Sequence, residues 1–226
     1  LHRVPGDWDI TTSARPEQVK AIFGHTIDTG LQHGTVTIMR DKVGYEVTTY
    51  RIDGEYEDGR HPKEVEFTSN LLEDLKRRDF TINAMAYNPK EGLVDAFEGI
   101  QDLKEKRIRC VGNALERFTE DALRILRAIR FSAQLGFSIE ESTWEAIKVI
   151  APNLIHVSKE RIQVELTKLL LSNHPDEIRK VFDRELDTRI CADFPKINPA
   201  QIAIDPGLPK NKHMRWAALL RHQTPE

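Results

Sequence analysis

Two carboxylates lie two residues apart near the start of the chain, in the segment Asp7-Trp8-Asp9-Ile10. Aspartate is among the residues that strands tolerate least, yet the pattern of this segment predicts a short strand. Side chains two residues apart in a strand point to the same face, so the two carboxylates would stand side by side. Such oxygen ligands suit Mg²⁺, which takes one or two protein carboxylates and leaves positions for water and phosphate. Asp7 and Asp9 are therefore candidate Mg²⁺ ligands.

A third carboxylate, Glu46, lies in the strand-like segment 44–50. If this strand neighbours the first, three carboxylates converge on one side of a sheet. A cluster of this kind can bind two metal ions, one activating an attacking hydroxyl and the other stabilising a leaving phosphate. The alternative is that Asp7 and Asp9 end a strand and cap the turn at residues 11–13, while Glu46 is an ordinary exposed acid.

A helical period with one charged face is predicted over residues 116–135. At about 100° per residue, the apolar side chains fall within about 100° of one another and predict a buried stripe, which consists of Ala122, Ile125, Leu126 and Ile129. The opposite side carries Glu120, Arg124 and Arg127, flanked by Asp121 and Arg130. Thr119 is expected to cap the N-terminus of this helix, and the adjacent acids suit its positive end.

Charges opposite an apolar stripe usually form a solvated face, and this reading stays open. However, three arginines at three-residue steps, with no lysine among them, suit bidentate recognition of phosphate or of a base edge. Asp121 and Arg124 can place an acceptor beside a donor, as the Watson–Crick edge of a nucleotide requires. A further group, Arg77-Arg78-Asp79, precedes an apolar run, and composition alone favours a charged helix start there.

Composition narrows the class of protein without identifying it. The 226 residues carry a formal net charge of −3, so no overall basic field attracts a polyanion, and a role with nucleic acid would depend on local patches. Two cysteines lie far apart with no metal-ligand or redox spacing, which favours a reducing compartment. No stretch approaches the roughly eighteen apolar residues of a membrane span. We expect a cytoplasmic protein with no membrane partner.

The elements that must position these residues change character along the chain. The first half alternates strand-like runs with turn signals: a strand, a helix opened by Pro16, two strands joined as a hairpin at residues 40–44, and a polar loop before a strand at 63–67. From Leu71 a helix is expected, followed by short extended pieces. Helices are expected at about 116–135, 140–150, 158–172 and 175–186, with another near the end. We predict a domain boundary near residue 112.

Four stretches together resemble the class II tRNA nucleotidyltransferases, which are the CCA-adding enzymes, and the similar bacterial poly(A) polymerases. The segment PGDWDITTSARPEQV resembles the metal-binding Asp-x-Asp segment of the family, and RRDFTINAMAYNP resembles its Arg-Arg-Asp segment. The segment EDALRILRAIRFSAQLGF resembles its Glu-Asp-x-x-Arg segment, and SKERIQVELTKLL its next helix. They occur in family order with family-like separations.

The resemblance implies an α+β fold. A polymerase-β-like nucleotidyltransferase head with a mixed sheet would cover residues 1–112. An all-helical neck would cover residues 113–172, and the start of a helical body residues 173–226. Relative to the family, the head would be incomplete at its N-terminus, where paired glycines cradle the triphosphate, and the body would be incomplete at its C-terminus.

The resemblance also assigns roles to individual residues. Asp7 and Asp9 would bind Mg²⁺, with Glu46 as a further catalytic carboxylate. Asp121 and Arg124 would form a protein template that selects CTP or ATP. Asp79 would lie near the sugar, and the remaining nucleotide contacts would come from Arg78, Arg127 and Arg130.

The implied activity is template-independent addition of C and A to the 3′ end of tRNA, with no DNA partner. The loop over residues 51–67 resembles the intact loop of enzymes that add all three nucleotides or the terminal A. An A-adding enzyme or a poly(A) polymerase is the alternative within the family. A non-catalytic RNA-binding module with the same fold is the alternative of another class.

Overall fold

The computed structural model describes residues 6–54, 65–190 and 197–223. They form two compact units, one made of residues 6–54 and 65–78 and the other of residues 79–190 and 197–223. The predicted divisions at residues 112 and 172 remain predictions about domain architecture. Most of the loop singled out in the sequence, residues 55–64, lies outside the described residues.

The first unit contains a four-stranded sheet, and this sheet is mixed, as the family resemblance implies. Its strands are ordered β1-β4-β3-β2, with β1 parallel to β4 and the other pairs antiparallel; β5 and β6 form a separate antiparallel pair. In chain order the elements are β1 (Ile10–Thr12), α1 (Pro16–Ile22), β2 (Thr26–Gly30), β3 (Thr35–Arg40), β4 (Val43–Thr49), β5 (Arg51–Asp53), β6 (Val65–Phe67) and α2 (Leu71–Lys76).

The first strand begins later than the sequence predicts. Ile10, Thr11 and Thr12 pair with Val47, Thr48 and Thr49, and residues 7–9 lie before the strand. The poor tolerance of strands for aspartate explains why regular pairing starts only after Asp9.

The predicted hairpin and the helix opened by Pro16 are both confirmed. A two-residue turn, Asp41-Lys42, joins β3 to β4, and both residues have positive φ, 50° and 67°. Positive φ at both central positions is the backbone requirement of the turn that matches the twist of a hairpin. Helix α1 supplies a side chain to the small core of this unit, which consists of Val19, Val36, Ile38 and Val47.

The second unit is mostly helical. Its elements are β7 (Ala86–Asn88), β8 (Gly92–Val94), α3 (Gly99–Glu105), β9 (Arg107–Ile108), α4 (Ala114–Glu120), α5 (Leu123–Leu135), β10 (Ser138–Ile139), α6 (Glu141–Ile150), α7 (Lys159–Leu170), α8 (Arg179–Asp183), α9 (Asp187–Ile190) and α10 (Lys212–Leu220). Two short sheets, antiparallel β7-β8 and parallel β9-β10, accompany the helices. Within the described ranges, none of the helices combines the length and apolarity that a membrane crossing needs.

The predicted helix over residues 116–135 is two helices. The chain leaves helical geometry at Asp121, whose φ and ψ are −151° and 101°, and α5 begins at Leu123. The predicted cap is wrong: Thr119 lies inside α4, and its hydroxyl donates to the carbonyl of Leu115. Asp121 acts at this position instead, because its Oδ1 accepts a hydrogen bond from the amide of Leu123 at 3.1 Å.

The apolar stripe predicted for this helix is confirmed. Ile125 and Ile129 are fully buried, and Leu126 is 1% exposed. They belong to one large core cluster that also takes in side chains from α4, α6, α7 and α8. Helix α5 is therefore fixed along its whole apolar face.

A buried arginine organises the segment before α10. Arg215 has no exposed surface. Its Nε donates to the carbonyl of Pro209 at 3.2 Å, and its Nη2 donates to the carbonyls of Pro206, at 3.0 Å, and Leu208. Within the described part of the chain, backbone carbonyls rather than carboxylates accept its hydrogen bonds.

Candidate functional site

The first unit holds the three carboxylates proposed for chemistry. Asp7, Asp9 and Glu46 are all exposed. Ile10 pairs with Val47 in parallel register, so Asp9 and Glu46 each precede a paired position on neighbouring strands. The condition that the strand of Glu46 neighbours the first strand is therefore met. Asp9 itself lies outside β1, so the sheet register does not fix the face on which its side chain lies.

The alternative that the aspartates cap the following turn does not match the hydrogen bonds. The turn is closed by Thr12, whose Oγ1 accepts from the amide of Ala14 at 3.1 Å. Asp7 Oδ1 accepts from the amide of its own neighbour, Trp8, at 2.8 Å. Both aspartates therefore keep carboxylate oxygens that can bind a cation.

The chemistry of these side chains fits Mg²⁺, which binds proteins through one or two carboxylates and retains water. Among the described residues, however, no three acidic, histidine or cysteine side chains gather closely enough to hold a metal ion. In the described part of the chain, the predicted convergence of Asp7, Asp9 and Glu46 into one three-carboxylate cluster is therefore not found.

Arg78 belongs to an ion-pair cluster at the C-terminal end of α2. The carboxylate of Asp74 is fully buried and lies 2.8 Å from Arg77 Nη2 and 3.4 Å from Arg78 Nη2. The pair Arg77-Arg78 therefore follows a helix, and the predicted charged helix start is wrong. Asp74 restrains both guanidinium groups.

The break between α4 and α5 presents Asp121 and Arg124. Asp121 Oδ2 accepts from Arg161 Nη2 at 2.7 Å. Arg124 Nη1 donates to Glu120 Oε2 at 2.6 Å and to the carbonyl of Arg117 at 3.0 Å. Each of the two residues proposed to read a base edge is thus oriented by a partner of opposite charge.

Asp79 and Arg127 form a bidentate pair within the second unit. Asp79 Oδ2 lies 2.8 Å from Arg127 Nε and 2.6 Å from its Nη2. The other oxygen of Asp79 accepts from the amide of Phe80 at 2.8 Å and from Asn83 Nδ2 at 3.2 Å. The Arg127 side chain is 32% exposed, so the guanidinium is oriented but remains accessible.

Arg130 is buried, in contrast to a solvated helix face. Its Nε donates to Glu165 Oε2 at 2.5 Å, its Nη1 donates to Gln134 Oε1 at 2.7 Å, and its Cζ lies 3.9 Å from the centre of the Phe131 ring. Burial lowers the pKa of Arg130, and the charge of Glu165 opposes this effect. The reading of these arginines as an ordinary solvated surface is wrong, because the Arg124 side chain is 12% exposed and that of Arg130 only 7%.

Sequence reasoning missed the partners supplied by α7. Arg161 orients Asp121, and Glu165, which is 4% exposed, neutralises Arg130. A signal was present: the two residues are four positions apart, so they share a helix face. Buried Ile162 and Leu166 lie next to them in the sequence. A charged pair bordering an apolar stripe indicates a partner from another element.

Two sequence profiles of known families match the chain. One, described as "Poly A polymerase head domain", matches residues 1–109. The other, described as "Probable RNA and SrmB- binding site of polymerase A", matches residues 136–185.

Curated relatives carry the name CCA-adding enzyme. The protein of Oceanobacillus iheyensis is 53% identical over 185 residues, which are 81% of this chain and 46% of that enzyme. The protein of Lactococcus lactis is 44% identical over 97% of this chain and 56% of that enzyme. The chain thus spans about half the length of the curated relatives that it matches.

Solved structures agree with this result. The CCA-adding enzyme of Bacillus stearothermophilus, solved in complex with CTP, is 38% identical with a TM-score of 0.85, covering 97% of this chain and 54% of that one. The Thermotoga maritima CCA-adding enzyme, solved with tRNA, is 30% identical with a TM-score of 0.63, covering 78% of this chain and 40% of that one. The fold is therefore that of a nucleotidyltransferase head followed by helices. This chain belongs to the family of the class II tRNA nucleotidyltransferases and bacterial poly(A) polymerases.

Proposed function

We propose that the protein adds C and A nucleotides to the 3′ end of tRNA without a nucleic-acid template, using CTP and ATP. One observation carries this proposal: Asp121 and Arg124 are held by charged partners at the α4–α5 break of a chain 53% identical to a CCA-adding enzyme. A template-independent enzyme must select its nucleotides with protein groups, and these two residues supply an acceptor and a donor.

The selection follows from hydrogen-bond chemistry. Cytosine and adenine each offer an exocyclic amino donor beside a ring-nitrogen acceptor. Asp121 would accept from the amino group, and Arg124 would donate to the ring nitrogen. Uracil and guanine present the reversed arrangement and would leave polar groups unpaired, which disfavours them strongly.

The other arginines would bind the remainder of the nucleotide. The guanidinium of Arg127 is oriented by Asp79 and still accessible, so it suits a phosphate or ribose oxygen. Arg78 would add a second positive charge, and Asp79 would lie near the sugar. Arg130 would be the least direct of these contacts, because its guanidinium is already paired with Glu165 and Gln134.

Asp7 and Asp9 would hold Mg²⁺, and Glu46, on the strand that neighbours β1, would add negative charge. When bound, the cation neutralises phosphate charge and lowers the pKa of a hydroxyl near it. In the reaction, the RNA 3′ hydroxyl attacks the α-phosphate of the nucleotide. A phosphodiester bond forms, the bond to the β-phosphate breaks, and pyrophosphate leaves. The protein supplies positioning and charge stabilisation. We place this reaction in the cytoplasm, as the cysteine pattern favours a reducing compartment.

Incubation with tRNA that ends before its CCA sequence tests the proposal. The chain is supplied with Mg²⁺ and each labelled nucleotide separately, and then with CTP and ATP together. Incorporation of C followed by A supports the proposal. Incorporation of A alone would indicate an A-adding enzyme or poly(A) polymerase, and retention of RNA without incorporation a binding module.

The variant Arg124→Ala tests the selection step in the same assay. Because the donor to the ring nitrogen is removed, the preference for C and A over U and G should fall by about tenfold or more. An unchanged preference would remove Arg124 from base selection.

A further inference from the structure

The segment that carries Asp79 is held by a neighbouring antiparallel segment. Residues 79–81 run antiparallel to residues 109–111. The amide of Thr81 donates to the carbonyl of Arg109 at 3.0 Å, and the amide of Val111 donates to the carbonyl of Asp79 at 3.1 Å. These backbone bonds fix the path of the segment, and a side-chain clamp is added at Thr81.

The clamp is the carboxylate of Asp102 on α3. Asp102 is 1% exposed, and its Oδ2 accepts from Thr81 Oγ1 at 2.6 Å and from Arg109 Nε at 2.8 Å. Thr81 is also 1% exposed. A single buried carboxylate therefore joins the two antiparallel segments, and the bond to a charged acceptor in a dry site is a strong one.

Helix α3 reaches this position because its first residue is glycine. A Cβ on Gly99 would lie 2.4 Å from the carbonyl oxygen of Thr81 and 2.9 Å from Met85 Sδ, so only glycine allows this approach. Asp95 caps the helix by accepting from the amides of Gly99, at 2.7 Å, and Ile100, at 2.8 Å. The helix start is thus packed against the backbone of Thr81, with Asp102 one turn further along.

We propose that Asp102 and Thr81 are positioning residues for nucleotide binding. They act through Asp79, which lies two residues before Thr81. Asp79 in turn holds Arg127 in a bidentate pair. Neither residue needs to contact the nucleotide. The inference rests on the proposed function of Arg127 as a nucleotide contact. It adds that Asp102, Thr81 and Asp79 together determine the position of the Arg127 guanidinium.

Calorimetric titration of CTP into the chain, with Mg²⁺ and no RNA, measures the effect. Thr81→Val keeps the shape of the side chain and removes the donor, so the dissociation constant should rise about tenfold. Thr81→Ser keeps the hydroxyl and should restore most of the affinity. A dissociation constant that Thr81→Val leaves unchanged would overturn the inference.

A matched control separates positioning from a general loss of stability. Thr167 Oγ1 accepts from Trp216 Nε1 at 3.0 Å, far from Asp79 in the sequence. Thr167→Val should lower the melting temperature without changing the affinity for CTP. If it weakened CTP binding as much as Thr81→Val, the effect would reflect stability, and the positioning role would be wrong.

The variant Arg127→Lys separates this inference from the proposed function. It should itself weaken CTP binding, and adding Thr81→Val should then have little further effect. If Arg127→Lys left CTP binding unchanged, the proposed nucleotide contact would be wrong. If Thr81→Val weakened binding equally in both backgrounds, the action would not pass through Arg127, and the inference alone would fail.

A readout without nucleotide completes the test. The Nε–H signal of Arg127 in ¹H–¹⁵N spectra, assigned by its loss in Arg127→Lys, should be protected from exchange by Asp79. Thr81→Val should speed its exchange about tenfold, and Asp102→Asn, which keeps an acceptor for Thr81 but removes the charge, should have a smaller effect. Unchanged exchange in both variants would show that the clamp does not position Arg127.

Discussion

Asp79 shows how much a single carboxylate can organise. It joins a backbone amide, the amide side chain of Asn83 and the guanidinium of Arg127, using both oxygens. Charge-assisted hydrogen bonds of this kind are shorter and stronger than neutral ones and fix geometry as well as energy. Its role as a holder of Arg127 is therefore compatible with a position beside the nucleotide sugar.

Asp7→Ala should abolish nucleotide addition without affecting folding. Asp7 is exposed and accepts a hydrogen bond from the amide of its neighbour Trp8, so the free energy of unfolding should change by less than about 0.5 kcal/mol. Loss of a proposed Mg²⁺ ligand should slow addition by about a thousandfold. Glu17→Ala removes another exposed acid of the same unit and should leave the rate unchanged. A normal rate in Asp7→Ala would refute the metal assignment.

Cys110 should resist alkylation in the folded chain. Burial, followed by the charge of Asp79, raises the pKa of its thiol from 9.0 to about 12. At pH 8 the folded chain should then hold about a thousandfold less thiolate at this position than the unfolded chain. Mass spectrometry of the peptide containing Cys110, after iodoacetamide treatment with and without urea, measures the difference. Equal labelling under both conditions would contradict the prediction.

The raised pKa of Cys110 also determines how the stability of the fold depends on pH. The thiol ionises near pH 9 when unfolded and only near pH 12 when folded, so the unfolded state releases its proton first. This group therefore reduces stability as the pH rises above about 9, and has no effect on it at neutral pH.

At the scale of single residues, the sequence identified the charged residues of the site more readily than their hydrogen-bond partners. The sequence identified Arg124, Arg127 and Arg130 as one set because their spacing is regular. It did not reveal that Arg130 lies against Glu165, 35 positions later, because a helical period does not identify which residue of another helix will face it. The same limit applies to Asp121 and Arg161.

Among the elements, α5 and α7 are joined by charge as well as by apolar contact. Glu165→Ala should leave Arg130 buried without its partner, which should cost about 3 kcal/mol or more of unfolding free energy, measured by urea denaturation. Glu160→Ala, on the same helix but exposed, should change it by less than about 0.5 kcal/mol. Similar values for the two variants would show that the pair contributes nothing to stability.

Element prediction succeeded where one periodicity dominated. The stripe Ile125, Leu126 and Ile129 follows a period of 3.6 residues and is buried as predicted. The break at Asp121 was missed, because its causes are the local capping bond to the Leu123 amide and the pair with Arg161 on another helix. The position that we propose for base recognition is thus the one at which local periodicity fails.

Across the whole molecule, the two units differ in the size of their cores. The first unit buries a cluster of four aliphatic side chains, whereas the cluster of the second extends over most of its helices. Because buried apolar area is the main source of stability, the two units should open with different free energies.

Hydrogen exchange followed by mass spectrometry should reveal this difference. Amides of β3 and β4, after correction for intrinsic rates, should exchange at least about tenfold faster than those of α5 and α7, because less apolar surface must be exposed to open the sheet. Equal protection of the β3–β4 amides and the α5–α7 amides would show that the first unit does not open more easily than the second.

The mixed sheet followed by helices could be predicted from the resemblance and the alternation of patterns. The sequence did not predict that β1 pairs with β4; it only showed what would follow if the two strands were neighbours. The pairing of strands distant in sequence depends on the tertiary fold. The proposed metal site of the first unit therefore depends on a contact between strands that lie far apart in the sequence.

Arg215 has a consequence for how substitutions act on the two ends of the second unit. Its cationic head is held by the dipoles of three peptide groups, whereas Arg127 and Arg130 of α5 are paired with carboxylates. A single substitution can delete a carboxylate but leaves a peptide carbonyl in the backbone. The anchor between Pro206 and Pro209 should therefore be lost only when Arg215 itself or the path of that backbone changes.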